Sequence, residues 1–161
     1  MIKFRINLNL ALKEQKVNIR NKKASLEYEL LHKYTAGLQL TGTEIKSIRD
    51  GKASIKEAYC LFLEDELWVR NMDISEYSQG SYNNHEPKRD RKLLLKKQEL
   101  YKLSKKSDEK GFSIITTSLF ISKRGFAKLE ISLAKGKKLY DKRETLKKKD
   151  MKREIDRLNG E

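Results

Sequence analysis

The sequence predicts a mainly β fold with flanking helices, an antiparallel β-barrel, continued by a basic C-terminal tail. Apolar residues concentrate between Leu26 and Leu133 and thin sharply beyond. Within that window they fall into about six short β-prone runs and two helical ones. All are joined by short connections, and the economical way to satisfy such a set is an antiparallel sheet closed into a small barrel. The 161 residues divide into an N-terminal extension over 1–17, a body over 18–133 and a tail over 134–161.

Met1 to Leu12 alternates apolar and polar residues without the uninterrupted apolar core of a signal peptide, and reads as an edge strand or a mobile extension. Val17 to Lys23 is a basic lead-in, either solvated or in contact with phosphates. Leu26–Tyr34 and Leu38–Leu40 are predicted as two strands joined by a tight connection at Thr35-Ala-Gly37. Thr41-Gly-Thr-Glu44 has the spacing of a capping box, so a helix follows, with Ile45 and Ile48 on one face and Gly51 ending it. Lys46, Arg49 and Lys52 then lie on or beside its exposed side.

Ala58–Leu63 and Leu67–Met72 flank the acidic turn Glu64-Asp-Glu66, a hairpin in which Trp68 is assigned to the core. Tyr77–Asn84 is a loop. Pro87 fixes the entry to a helix capped by Asp90 and burying Leu93, Leu100 and Leu103. Phe112–Ser122 and Phe126–Leu133 form a second hairpin around Ser122-Lys-Arg-Gly125. Ala127, Leu129, Ile131 and Leu133 take its buried face, and Lys128, Glu130 and Ser132 its wet one.

The formal net charge of +14 asks for a polyanionic partner, and a surface of this kind gains from phosphate neutralisation and counterion release. No segment has the eighteen or more apolar residues of a membrane span, so the chain is expected to remain in the cytoplasm with no membrane partner. Cys60 is alone, which leaves no disulfide framework and no cysteine metal cluster. His85 has only His32 as a companion, and no carboxylate cluster shows ligand spacing. No glycine-rich phosphate loop, activated nucleophile or paired-carboxylate site is present. The expectation is therefore a protein that is not an enzyme and uses no metal or cofactor. The tail carries Leu139, Tyr140, Leu146, Met151, Ile155 and Leu158 among many lysines and arginines, too few to pack. It is expected to be disordered alone and helical when bound.

Four motifs occur in order: Asn21-x-Lys-Ala24 with Tyr28; Gly42-x-Glu-Ile-Lys-Ser-Ile-Arg-x-Gly-Lys52; His85-x-Pro-x-Arg-x-Arg-Lys-Leu-Leu-Leu95; and Ala134-Lys-Gly-Lys-Lys-x-Tyr-Asp-Lys-Arg143. Together they resemble the small protein B family, the tmRNA-binding (SsrA-binding) proteins of bacteria, from about Asn18 to the end. The resemblance implies an OB-like barrel that binds the tRNA-like domain of tmRNA and enters stalled ribosomes. There the tail would reach the small-subunit rRNA at the decoding centre and the empty mRNA channel. Elongation factor Tu would take part in delivery, and the free protein would be a monomer.

Carried over to this chain, the resemblance assigns Asn21, Lys23, Glu44, Lys46, Arg49, Lys52, Arg89, Arg91 and Lys92 to the tmRNA-facing surface or its border. Glu44 would meet a base or sugar donor, or serve only as the helix cap. Lys135, Gly136, Lys137, Lys138, Tyr140, Asp141, Lys142 and Arg143 are assigned to ribosome contact, with Tyr140 as a stacking face. Tyr140 stands where many members carry His, and Leu26 where many carry a polar residue, often His. The alternatives are another OB-type RNA-binding or ribosome-associated protein, and a nucleic-acid-processing enzyme built on His85.

Overall fold

The computed structural model describes residues 17–80 and 82–158, so the expectations for Met1 to Leu12 lie outside the described residues. In chain order the elements are β1 (Asn18–Arg20), α1 (Ala24–Glu27), β2 (Tyr28–Leu38), α2 (Gly42–Arg49), β3 (Ala53–Ser54) and β4 (Tyr59–Leu63). They continue as β5 (Glu66–Arg70), β6 (Asp73–Ile74), β7 (Arg91–Leu94), α3 (Lys97–Ser107), β8 (Phe112–Ile121), β9 (Ala127–Gly136) and α4 (Leu139–Leu158).

Pairing runs β8-β4-β5-β7-β2-β9, and β9 returns to β8, closing the barrel. β1 adds to β8 beside β4, and β3 with β6 forms a separate two-stranded sheet. Every described pairing is antiparallel. Closure removes the free edges that an open sheet of this size would expose.

The β8–β9 hairpin turns at Ser122–Gly125 as expected: Gly125 takes a positive φ of 80° and its N–H donates to Ser122 O. Ala127, Leu129, Ile131 and Leu133 are buried and join Ile48, Ile55, Leu67, Val69, Leu93 and Leu103 in one core. Ser132, expected on the wet face, is also buried, and its hydroxyl donates to the carbonyls of His32 and Leu133. Burial pushes the Cys60 thiol well above its usual range, in keeping with its assignment as a small hydrophobe.

Three expectations are corrected. Thr35–Gly37 is not a turn: β2 runs unbroken to Leu38, with a bulge between Leu30 and His32. Gly37 pairs with Lys128 on one side and Leu94 on the other, and a Cβ there would sit 3.3 Å from the Leu94 Cβ. Close approach of the Leu94 side chain on the paired strand, not chain reversal, explains that glycine. The helix expected after Asp90 begins only at Lys97, where the Lys96 N–H donates to Glu99. Asp90 instead accepts from Arg70, and Leu93 reaches the core from strand β7. Trp68 is half-buried on the outer face of β5, opposite Leu61 and Lys92, while its neighbours Leu67 and Val69 take the core side. Strand alternation decides this, since consecutive residues cannot share a face.

Candidate nucleic-acid interface

The candidate surface is built outward from α2. Its capping box forms as the sequence implies: the Thr41 N–H donates to Glu44 Oε2 at 2.7 Å. Gly51, at φ 74°, ends the helix with its N–H on Ile48 O. This geometry buries Ile48 and turns Lys46 and Arg49 outward, with Lys52 exposed just beyond. Lys46 Nζ lies 5.2 Å from the centre of the Tyr77 ring, and Arg49 Nη2 donates to Gly125 O at 3.0 Å. Both cations are thus steered by neighbouring elements while keeping exposed surface.

Glu44 is 0% exposed, as is Arg91. Arg89 grips Glu44 through Nε at 2.7 Å and Nη2 at 2.6 Å, and Arg91 Nε donates to it at 2.8 Å. Arg91 completes its donor set on the carbonyls of Met72, Arg89 and Pro87. Burial, the largest influence on Glu44, pushes its carboxyl pKa up. The Arg89 hydrogen bond, the Thr41 N–H and the Arg91 charge together outweigh burial and hold it below its ordinary 4.5. Burial pulls Arg91 down from its usual value, with the Glu44 charge opposing. The direction that matters is that of Glu44, because an arginine stays charged throughout the working range.

Asn21 is likewise internal. Its Nδ2 donates to the carbonyls of Ile55 and Thr116, each at 3.2 Å, and its Oδ1 accepts from the N–H groups of Lys23 and Ala24. It fastens the start of α1 to the segment that follows α2. Asn21→Ala would take the Asn21 donor from Thr116 O and the acceptor from the N–H groups of Lys23 and Ala24, at about 1–3 kcal/mol in all, while Ile55 O keeps the Thr116 hydroxyl and the Ala58 N–H. The expected outcome is a thermal midpoint lowered by roughly 5–10 °C, measured by calorimetry on the full chain.

The structure therefore separates the nine residues assigned by resemblance to the tmRNA side. Asn21, Glu44 and Arg91 lie inside the body and organise it, and of the two roles expected for Glu44 the helix cap is the one its hydrogen bond to Thr41 fills. Lys23, Lys46, Arg49 and Lys52 are exposed on a band running from α1 along residues 52–57 to α2. Arg89 is partly exposed and fixed by Glu44. Lys92 pairs with Glu66 on the outer sheet beside Trp68, and Lys23 pairs with Glu57 at 3.2 Å. Sequence reasoning missed Lys56, whose carbonyl meets Asn21 within this band, and the ring of Tyr77 under Lys46. No local signal marked either, because both depend on contacts between distant segments.

His85 is buried, with Nδ1 2.9 Å from the Thr43 hydroxyl and Nε2 3.0 Å from Ile74 O. It ties the 75–84 loop to α2. Among the described residues no group of three or more His, Cys, Asp or Glu could hold a metal.

Where β9 ends beside α1, Gly136 pairs with Tyr28 in extended backbone and Lys135 is exposed. The Lys137 N–H donates to Glu27 O at 2.9 Å, while its Nζ donates to Ser25 O and lies 3.3 Å from Thr145. Lys137 thus links the second turn of α4 to α1. Lys138, Tyr140 and Arg143 are exposed, Asp141 and Lys142 half-buried, and no residue of α4 is buried. The Asp141 charge raises the Tyr140 hydroxyl above its usual value, so the ring stays neutral.

Comparison with known proteins places these features in context. The family model described as SmpB protein matches residues 18–161. A protein of Cytophaga hutchinsonii named SsrA-binding protein is 63% identical over 142 residues, covering 88% of this chain and 93% of its own length. One of Phocaeicola vulgatus with the same name is 58% identical over 147 residues, covering 91% and 98%. A chain of a solved structure described as "tmRNA-SmpB: a journey to the center of the bacterial ribosome" is 39% identical. It superposes with a TM-score of 0.66 over 81% of this chain and 94% of its own.

Proposed function

Because the chain belongs to the SmpB family, we propose that it is the tmRNA-binding adaptor of trans-translation, carrying the tRNA-like domain of tmRNA into ribosomes stalled on defective mRNA. The observation that carries this reading is the family match, which extends unbroken through barrel and tail. The OB-like barrel supplies a rigid body with a net positive surface. Lys23, Lys46, Arg49, Lys52 and Arg89 form the tmRNA-facing band, which reads RNA by shape and backbone. Lys135 to Arg143 present the tail to small-subunit rRNA at the decoding centre, with Tyr140 offering a neutral stacking face and α4 entering the empty mRNA channel. The protein performs no chemistry itself, acts in the cytoplasm as a monomer before delivery, and meets elongation factor Tu in the delivery complex. Among the described residues no helix is long and apolar enough to cross a membrane.

Binding of the tRNA-like fragment of tmRNA, set against an unrelated structured RNA at matched salt, tests the assignment. Tighter binding of the tmRNA fragment is expected, and equal affinities would exclude it. A general basic RNA binder would give the same salt dependence for both RNAs.

Since no residue of α4 is buried, the body contributes little to its helicity, and a lone helix of about this length is marginal in water. A peptide of residues 137–161 is expected to show weak helical circular dichroism in buffer. A strongly helical peptide would place the source of order in the tail itself.

A further inference from the structure

A cleft of about 480 Å³ between β2 and α3 is lined by His32, Tyr34, Tyr101, Lys102, Lys105 and Lys106. None of these belongs to the band or to the tail junction described above. Three features set it apart from an ordinary solvated face. Its walls carry two tyrosines and an imidazole, and Tyr101 stays 62% exposed although the opposite face of the same helix buries Leu103. Lysines and no carboxylate complete the lining. Lys105 Nζ stands over the Tyr101 ring, 4.5 Å from its centre, a cation–π contact that sets an ammonium group against the exposed aromatic. The carboxylate of α3, Glu99, is engaged at the helix start by the Lys96 N–H.

We propose that this cleft binds an unpaired nucleotide of single-stranded RNA, its base stacked against Tyr101 and its flanking phosphates held by Lys102, Lys105 and Lys106. Aromatic faces interleaved with ammonium groups, with no acid among them, match the alternation of base and phosphate along a strand. A duplex keeps its bases stacked on one another and would leave the rings idle. His32 lies four residues along β2 from Tyr28, the partner of Gly136, which is roughly 13 Å from the root of the tail. The cleft therefore opens close to where the chain leaves the body, and one RNA could follow both. The proposal rests on the tmRNA-adaptor reading only in taking RNA as the partner.

The test uses the full chain and hexauridylate carrying one 4-thiouridine, irradiated at low occupancy and mapped by mass spectrometry. Crosslinks are expected on α3 and on the peptide containing His32. Tyr101→Ala should weaken them roughly five- to hundredfold, the usual range for loss of one stacking ring, while Tyr101→Phe should retain them. Tyr101 is exposed, so circular dichroism of the variant is expected to match the parent. Crosslinks confined to the Lys23–Arg49 band or to the tail would overturn the proposal, and so would cleft crosslinks indifferent to Tyr101→Ala. Competition by polyglutamate as effective as that by unlabelled hexauridylate would also overturn it, marking the cleft as a site for acidic peptides. Titration of the parent chain with the tRNA-like fragment is read separately. A failure there counts against the adaptor function and leaves the cleft result standing.

Discussion

A chain ending at Lys138 is expected to bind the tRNA-like fragment of tmRNA within about twofold of the full-length protein and to support no tagging of nascent chains on stalled ribosomes. The first half follows from packing and charge. α4 buries no residue, so its removal exposes little apolar surface of the body. The backbone bond from Lys137 to Glu27 and the side-chain bond to Ser25 both remain, leaving only the contact with Thr145 to be lost. Between Leu139 and Leu158 eight lysines and arginines stand against five carboxylates, a net +3 of the total +14, so the long-range attraction of the body for RNA is largely kept. The second half follows from the exposed Tyr140, Leu146, Met151, Ile155 and Leu158, which have nothing to pack on within the chain. Binding by gel shift and tagging in a reconstituted translation system check the two halves independently. Loss of tmRNA affinity along with tagging would mean that the tail belongs to the RNA-binding body.

The largest stability effect is expected at Glu44. Glu44→Gln removes the charge that balances Arg91 in a site where both groups are fully buried, and breaking such a pair from one side costs about 3–5 kcal/mol. For a body of this size that is a fall of roughly 10 °C or more in thermal midpoint. Arg89, partly exposed, can turn to water, so most of the loss falls on Arg91. Replacing both members together, Glu44→Met with Arg91→Met, should recover part of the stability, because an apolar pair leaves no orphaned charge but takes the Arg91 donors from the carbonyls of Met72, Arg89 and Pro87. RNA affinity should fall only as far as Arg89 loses its fixed position. If Glu44 instead met a base or sugar directly, Glu44→Gln would keep the thermal midpoint and lose affinity.

The same residue sets a pH signature. The folded carboxyl of Glu44 titrates below its ordinary 4.5. Its contribution to stability is therefore complete above that value and is lost as pH falls through the lower folded one. Asp90, held down by the hydrogen bond from Arg70, adds in the same direction. Acid unfolding of the parent should steepen below about pH 4.5, and Glu44→Gln should flatten that limb while leaving the neutral range parallel.

What the sequence made legible was whatever depends on near neighbours. The capping box at Thr41 and Glu44, the helix end at Gly51, the Ser122–Gly125 turn and the alternation along Ala127–Ile131 all follow from residues a few positions apart, and all are present. The failures have a common cause. Gly37 reads as a turn because glycine marks turns, yet its reason is Leu94, far along the chain. Asp90 reads as a helix cap, yet its partner is Arg70. Trp68 reads as core because its neighbours are apolar, although strand geometry gives the core to Leu67 and Val69 and leaves the indole at the surface. The site shows the same division. Motif positions name the residues, while only the folded arrangement distinguishes the exposed Lys46, Arg49 and Lys52 from the interior Asn21, Glu44 and Arg91. Residues that recur in a binding motif can be those that hold the binding surface in shape.

The central claim is that one face of the barrel holds tmRNA while the tail is reserved for the ribosome. Amide hydrogen exchange of the full chain, free and bound to the tRNA-like fragment, tests it most directly. Slowed exchange is expected over residues 21–24, 46–56 and around Arg89, with residues 139–158 exchanging as in the free protein. Protection confined to 139–158, with the band unchanged, would contradict the account.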